Sequence, residues 1–159
     1  MVQLNGCFTR INGQDENIII NDMEEYEEKV VAVRLSDNTV FDLTINIIED
    51  DSFIMSVSLD NHLFEVQEED IFPTFQKLRD ILLSKGIGMK CYGAMRNAHQ
   101  SGMMSTSNKV YILTLGKPAL KKDIATIFDY AEIQEFPNTR EQEEFSQKWL
   151  NSFLNRETY

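Results

Sequence analysis

Apolar and polar side chains alternate with a period of two through residues 29–67, and this alternation constrains the fold more than any other feature of the sequence. The first clear run places apolar side chains at every second position: Phe41, Leu43, Ile45 and Ile47. A second run repeats the pattern: Phe53, Met55, Val57 and Leu59. Successive side chains of a strand point to opposite faces of its sheet. The pattern therefore predicts half-buried strands with one solvated face.

Three short turn signals separate the alternating runs. They read SDN, EDD and LDN and occupy residues 36–38, 49–51 and 59–61. Asp and Asn favour tight turns because their short side chains hydrogen-bond to the nearby backbone. Links this short join antiparallel neighbours, so we expect an N-terminal antiparallel meander. One or two further strands are predicted in NGCFTRING (5–13) and NIII (17–20).

The second half of the chain mixes helical and strand signals. Helices are predicted over three segments: 68–88, 117–131 and 138–154. The first has acids ahead of Pro73 and an apolar stripe, and the third has a possible capping box of Thr139 and Gln142. Strands are predicted at 87–94 and 109–116. The expected fold is one α+β domain spanning 1–159. Its antiparallel or mixed sheet would have about five to seven strands, with about three helices mainly on one face.

Charge is distributed unevenly along the chain. The net charge is −11, yet residues 1–70 carry 17 acids and three bases, whereas residues 71–122 carry one acid and nine bases. This dipolar pattern is typical of a protein that attracts a basic partner, although solubility alone also explains it. Direct nucleic-acid binding is disfavoured because phosphates would be repelled by most of the surface. With no signal peptide and no apolar run of about 20 residues, a cytoplasmic protein outside the membrane is expected.

Recognisable catalytic and cofactor motifs are absent. The sequence has no GxGxxG, GxxxxGK[ST], GxSxG, HExxH or CxxC pattern, so we expect no cofactor. Only two histidines and two cysteines occur, and their spacing fits no metal site. The cysteines, Cys7 and Cys91, are expected to be free thiols. The sequence thus favours a protein that is not an enzyme.

Six acidic side chains are predicted to dock onto lysines and arginines of another protein: Glu24, Glu25, Glu27, Glu28, Asp50 and Asp51. The first four fall in DMEEYEEK, residues 22–29. This segment lacks the spaced Asp, Asn and Gly of a calcium loop. The alternative for 22–29 is a solvated acidic loop or helical turn without a binding role.

The acid-free segment 92–109 is the second candidate site. Seven of its side chains are predicted to form a ligand or recognition loop: Tyr92, Arg96, Asn97, His99, Ser101, Met103 and Met104. Arg96 has the geometry to grip a phosphate or carboxylate, and His99 can donate a hydrogen bond beside it. Methionines are frequent on adaptable binding surfaces, but they also fill gaps in cores.

Two functional hypotheses follow. The first is a small acidic binding protein that inhibits or regulates a basic partner, in the manner of an immunity protein or antitoxin that occludes a toxin such as a nuclease. The second is a domain that binds or processes a small anionic ligand, such as a nucleotide or phosphorylated metabolite, through residues 92–109. A third role, as an interaction part of a larger assembly, stays open.

Overall fold

The alternating residues of the first half form four antiparallel strands. The computed structural model describes residues 23–156 of the chain. Its first four strands follow one another as the predicted meander: β1 (Glu24–Arg34), β2 (Thr39–Glu49), β3 (Phe53–Leu59) and β4 (His62–Glu68). The strands predicted in 5–13 and 17–20 lie outside the described residues.

The turns of the meander use the residues that the sequence singled out. Asp60 and Asn61 form the two-residue link between β3 and β4, with φ of 52° and 64°. Positive φ at both positions is the conformation that a two-residue hairpin turn requires, and Asp and Asn tolerate it. Asn38, with φ of 61°, closes the link between β1 and β2 in the same region of backbone space.

Helix α1 (Ile71–Ser84) connects β4 to a fifth strand, β5 (Ile87–Lys90), at the opposite edge of the sheet. Gly86, with φ of 82°, lets the chain leave the helix. Strand β5 pairs antiparallel with β1, and the strand order is β4-β3-β2-β1-β5. The apolar stripe of α1 is buried against the sheet: Phe75, Leu78 and Leu82.

The five-stranded sheet has two faces of different character. The face that packs against α1 is here called the helix face, and it carries the buried side chains of β2 and β3: Leu43, Ile45, Ile47, Met55 and Val57. The opposite face is here called the open face. It carries mainly polar side chains: Glu27, Asp42, Asn46, Ser56 and Glu65. Burial of one face only is what a period-two pattern dictates.

The remaining chain forms a second, smaller sheet and a second helix. The sheet contains β6 (Ala98–His99), β7 (Lys109–Ile112) and β8 (Ile124–Thr126), in the order β6-β7-β8. Helix α2 (Thr139–Arg156) packs against α1 and β6. The α+β class and the antiparallel meander are confirmed, but the strands are divided between two sheets.

The helix predicted over 117–131 is wrong. This segment forms a short 3₁₀ turn at Lys121–Asp123, then β8, and then an extended stretch beside β5. Ile127 and Asp129 accept backbone hydrogen bonds of 2.9 and 3.0 Å from residues 93 and 92, and Ala131 donates one of 3.2 Å to residue 90. The last residue of β5 and the 3₁₀ turn that follows it supply these partners. Because its β-branched residues suit a strand, the segment is extended rather than helical.

Helix α2 is capped one residue earlier than predicted. The side chain of Asn138 accepts a hydrogen bond from the Glu141 N–H at 2.9 Å, and the Glu141 carboxylate accepts one from the Asn138 N–H at 3.1 Å. This reciprocal pair is the capping box. Thr139 and Gln142, the predicted pair, instead take part in a buried network with α1.

Candidate functional site

The described acids of the segment 22–29 lie in a strand, not in a loop or a helical turn. Strand β1 begins at Glu24, and its side chains alternate between the two faces of the sheet. Glu25 and Glu27 therefore lie on the open face, whereas Glu24 and Glu28 lie on the helix face with Tyr26. The four glutamates do not form one continuous patch.

Glu28, on the helix face, is poorly placed for docking, whereas Glu24 is exposed. Glu28 lies opposite Ile45 of β2 and is partly buried. Burial, with a smaller contribution from the negative charge of Asp129, raises the pKa of the Glu28 carboxyl. Tyr26 donates a 3.3 Å hydrogen bond to Glu49. Burial, with a smaller contribution from the negative charge of Glu49, raises the pKa of the Tyr26 hydroxyl above its ordinary value. These groups belong to the packed end of the sheet.

Asp50 and Asp51 lie at the turn between β2 and β3. Both are exposed, and the Asp50 N–H donates to the Ser52 carbonyl at 2.9 Å. Glu24 pairs with Glu49 in the β1–β2 register, so the two aspartates lie at the same end of the sheet as the start of β1. They form a rim to the sheet rather than part of either face.

A groove on the open face brings together acids that are far apart in sequence. It has a volume of about 370 Å³ and opens where the paired register of β2 and β3 ends, beyond Asn46 and Ser56. Its polar lining comes from three strands: Glu27, Asp42, Thr44, Asn46, Ser56 and Ser58. We call this feature the open-face groove.

The chemistry of the open-face groove is that of a cation acceptor. Among the described residues, neither Glu27 nor Asp42 makes an ion pair or a side-chain hydrogen bond, whereas Glu25 accepts one from Asn46 at 3.0 Å. Strands β1 to β4 carry four carboxylates on the open face and one base, Lys29. Carboxylates and hydroxyls that converge without internal partners offer hydrogen-bond acceptors to an incoming lysine or arginine.

Residues 92–109 are more ordered than a simple loop. They contain 3₁₀ turns at Tyr92–Ala94 and Gly102–Met104, with strand β6 between them. Arg96 pairs with Glu135 at 2.5 Å and with Glu141 at 3.3 Å. The hydrogen bond to Glu135 and, to a smaller extent, the negative charges of both acids raise the pKa of the Arg96 guanidinium. Arg96 thus ties this segment to the start of α2.

The other predicted recognition residues separate into different surroundings. Asn97 is structural, because it donates to the Leu113 carbonyl at 2.8 Å and its own carbonyl accepts the Leu113 N–H at 2.9 Å. Tyr92 lines a wide groove of about 510 Å³ beside β8. Met103 is 98% exposed, and Met104 is half-buried. The methionines therefore do not share one surface with Arg96.

His99 and Ser101 lie together in a groove of about 340 Å³ between the start of α1 and α2. Two acids, Asp70 and Glu143, also line this groove, and no lysine or arginine does so. The His99 ring lies 6.3 Å from the Trp149 ring. Burial lowers the pKa of the His99 imidazole, which favours its neutral form at pH 7. The surroundings of His99 suit a neutral or cationic group better than an anion.

Four of the nine bases in residues 71–122 form ion pairs within the described part of the chain, among them Arg96. Ion pairs join Lys77 to Glu68 at 2.8 Å and Lys90 to Glu132 at 3.1 Å. Arg79, which is 2% exposed, pairs with Asp80 at 2.8 Å. The positive potential expected from residues 71–122 is therefore reduced by folding.

Comparisons with protein-family models and with curated proteins found no match. Within the described part of the chain, no group of three His, Cys, Asp or Glu side chains is placed to hold a metal ion. Neither helix over residues 23–156 combines the length and apolar character needed to cross a membrane. Cys91 is a free, buried thiol whose pKa burial raises to about 12, and Cys7 lies outside the described residues.

Asp42 is the important site residue that the sequence analysis did not single out. A signal for it was available, because Asp42 has the opposite phase to Phe41 and Leu43 in the alternating run of β2. What the phase alone does not provide is the pairing of β1 with β2. The register places Val31 opposite Asp42, so Glu27 reaches the same groove from a position four residues away along β1.

Proposed function

We propose that this protein is a non-enzymatic acidic binding protein and that its open-face groove receives lysine or arginine side chains of a basic partner protein. The observation that carries the proposal is the position of Glu27 and Asp42. Both carboxylates line one groove, and neither has an internal partner among the described residues. Breaking an internal ion pair costs free energy when a partner binds. Since Glu27 and Asp42 form no such pair among the described residues, binding in this groove does not carry that cost.

The remaining polar lining of the groove fits the same type of ligand. Hydroxyls of Thr44, Ser56 and Ser58 and the side-chain amide of Asn46 surround the two carboxylates. A guanidinium or ammonium group has several N–H donors and needs several acceptors when it loses water. The net charge of −11 would accelerate association with a basic protein at low ionic strength.

Occlusion of a basic active site, as by an immunity protein or antitoxin, is the regulatory role that we propose for this binding in the cytoplasm. It needs no cofactor, no nucleic acid and no membrane. A basic toxin such as a nuclease is the class of partner that fits this chemistry, because its phosphate-binding surface would present the required lysines and arginines.

The test compares two variants with the same change in charge. Glu27→Gln with Asp42→Asn neutralises the open-face groove, and Glu143→Gln with Glu144→Gln neutralises two acids on α2. Partners would be captured from lysate by the wild-type protein and identified, and the affinity of each purified partner would then be measured at low and high salt. We expect the groove variant to bind at least about tenfold more weakly and the α2 variant to bind within about twofold of wild type.

Equal losses for the two variants would reduce the proposal to a non-specific charge effect. Full retention of binding by the groove variant would overturn it. A loss confined to the α2 variant would shift the site to the groove that contains His99 and Ser101. The second hypothesis, an anionic ligand at 92–109, stays a prediction with less support, because Arg96 would have to leave Glu135 and Glu141 to grip an anion.

A further inference from the structure

Strand β4 forms one edge of the five-stranded sheet, and no other strand of residues 23–156 pairs with it on its outer side. Its register with β3 pairs His62 with Leu59 directly beside the two-residue turn, so these two residues exchange both backbone hydrogen bonds. The bonded pairs then recur at every second residue. The N–H and C=O groups of the intervening residues, Leu63, Glu65 and Gln67, therefore point away from the sheet. Within residues 23–156, no backbone group pairs with them.

The opposite edge of the sheet is partly occupied. The extended segment 127–131 bonds to Lys90, the last residue of β5, and to residues 92 and 93 beyond it. Cys91 and Tyr130 form an additional antiparallel bridge between the two segments. Among the described residues, the row of free backbone groups at β4 is therefore longer and more open to an incoming strand than the end of β5.

The side chains beside β4 differ between the two faces. On the open face, Leu63 is 65% exposed and Glu65 is exposed beside it. On the helix face, a mainly apolar cavity of about 270 Å³ borders the start of the strand. Phe64, Leu59 and Ile87 provide its apolar walls. The edge thus offers the carboxylate of Glu65 on one side and, on the other, a recess with apolar walls and with Arg34 and Lys85 also in its lining.

Charge argues against a second copy of this chain as the occupant. Antiparallel pairing of β4 with its own copy about Glu65 would place the two Glu65 carboxylates opposite each other. Like charges directly opposite across strands are destabilising. A segment that carries lysine or arginine opposite Glu65 would instead form an oppositely charged pair. The same preference for a basic partner holds in the neighbouring open-face groove.

We propose that β4 is a docking edge for an extended segment of the basic partner, which adds to the sheet as a sixth strand. Basic and apolar side chains alternate along this segment. The basic side chains lie over the open face near Glu65, and one apolar side chain enters the cavity beside Phe64. Main-chain hydrogen bonds to residues 63, 65 and 67 provide the affinity. This inference rests on the proposed function, because it identifies how the same basic partner is held.

The experiment uses the full chain and a peptide of alternating lysine and valine, with a glutamate–valine peptide as the control probe. Amide hydrogen exchange would be measured residue by residue. We expect the lysine–valine peptide to slow exchange at residues 63, 65 and 67, with no slowing by the control peptide. A peptide that binds without slowing exchange at these three amides would overturn the inference.

A matched pair of variants isolates the backbone contribution. Glu65→Ala and Glu65→Pro remove the same charge, but only proline also removes the outward N–H, and proline is tolerated at such edge positions. We expect Glu65→Pro to bind the peptide about tenfold more weakly than Glu65→Ala, which corresponds to one lost hydrogen bond. Equal affinities would mean that β4 does not accept a strand. Circular dichroism would establish whether both variants fold. If the proline variant does not fold, amide hydrogen exchange of the wild-type protein with the peptide decides whether β4 accepts a strand.

Failure here is distinguishable from failure of the proposed function. Loss of partner binding in Glu27→Gln with Asp42→Asn, together with equal binding by the two Glu65 variants, would leave the groove proposal intact and overturn only the edge. A wild-type dimer whose residues 63, 65 and 67 are protected without peptide would show that a second copy occupies β4, which would also overturn the inference.

Discussion

Gln142 uses every hydrogen-bonding position of its side-chain amide. Its oxygen accepts from Gln76 at 3.0 Å and from Arg79 at 2.6 Å, and its nitrogen donates to the carbonyls of Gly93 and Met95 at 2.8 and 2.7 Å. One buried side chain thus joins α1, the segment after β5 and α2. Buried polar networks of this kind specify a unique packing when they are fully paired, and they are costly when a member is lost.

Substitution of Gln142 by alanine is expected to destabilise the fold by about 2–4 kcal/mol, because the buried Arg79 guanidinium loses one of its hydrogen bonds and the Gly93 and Met95 carbonyls lose the amide that donates to them. Urea unfolding would measure the free energy of unfolding. The matched control is Gln147→Ala on the exposed face of α2, for which a change within about 0.5 kcal/mol is expected. A loss below about 1 kcal/mol in Gln142→Ala would mean that water replaces the amide.

Glu28 illustrates a residue whose charge opposes folding. Its folded pKa is raised, so protonation favours the folded state, and this stability is present at low pH and lost as the pH rises through the folded pKa. Glu28→Gln should therefore stabilise the protein at pH 7, by about 0.5 kcal/mol after allowance for solvent screening. The gain should vanish below the ordinary pKa of 4.5. Thermal melts at pH 7 and pH 4 would test this, with Glu27→Gln on the exposed face as the control; equal shifts in the two variants would contradict the burial effect.

At the scale of elements, sequence patterns were reliable where one periodicity dominated. The four strands of the meander and helix α1 have strong period-two or helical patterns, and both were predicted. The segment 117–131 was not, because its apolar residues also fit a helical stripe. Its conformation depends on hydrogen bonds to residues 90, 92 and 93, which lie about 35–40 residues away in sequence, and no local pattern encodes those contacts.

The candidate site was predictable to a similar extent. Composition identified Glu25 and Glu27 as acids available to a partner, but the extension of β1 to Glu24 was missed because four glutamates have low strand propensity. Pairing with the apolar strand β2 overrides that preference. For the segment 92–109, the sequence gives residue types only, and the capture of Arg96 by two acids follows from the tertiary packing of α2.

Close packing between β5 and the chain before α2 provides a test at the same scale. A Cβ atom added at Gly88 would lie 2.5 Å from the Phe136 ring. Gly88→Ala is therefore expected to cost about 1–3 kcal/mol in unfolding free energy, as overpacking does. Gly102→Ala is the control, since nothing lies within 4 Å of its added Cβ. In the double variant Gly88→Ala with Phe136→Leu, the measured cost should be smaller than the sum of the single costs, and strict additivity would argue against the clash.

At the scale of the whole molecule, folding pairs bases with acids from distant segments but leaves a large acidic excess. Lys77, Lys90 and Arg96 pair with carboxylates, whereas Glu27 and Asp42 on the open face have no basic partner among the described residues. With a net charge of −11, repulsion among the remaining carboxylates opposes the compact state.

Salt should therefore stabilise this protein. Raising NaCl from roughly 0.05 M to 0.5 M is expected to increase Tm by a few degrees, because screening reduces the repulsion more than it weakens the few ion pairs. Differential scanning fluorimetry at fixed pH would measure the change. The variant Glu27→Gln with Asp42→Asn should show a smaller increase. A decrease of Tm with salt in the wild type would mean that the ion pairs dominate.

The pairing at the end of β5 has a consequence for polymerisation. A protein with two free sheet edges can grow by repeated edge-to-edge addition into a fibre. Here the segment 127–131 bonds to Lys90 and to the residues just after β5, so a strand that approaches this edge meets backbone groups that are partly occupied. Growth through both edges is therefore disfavoured, and an exposed β4 does not by itself make the molecule a link in an open filament.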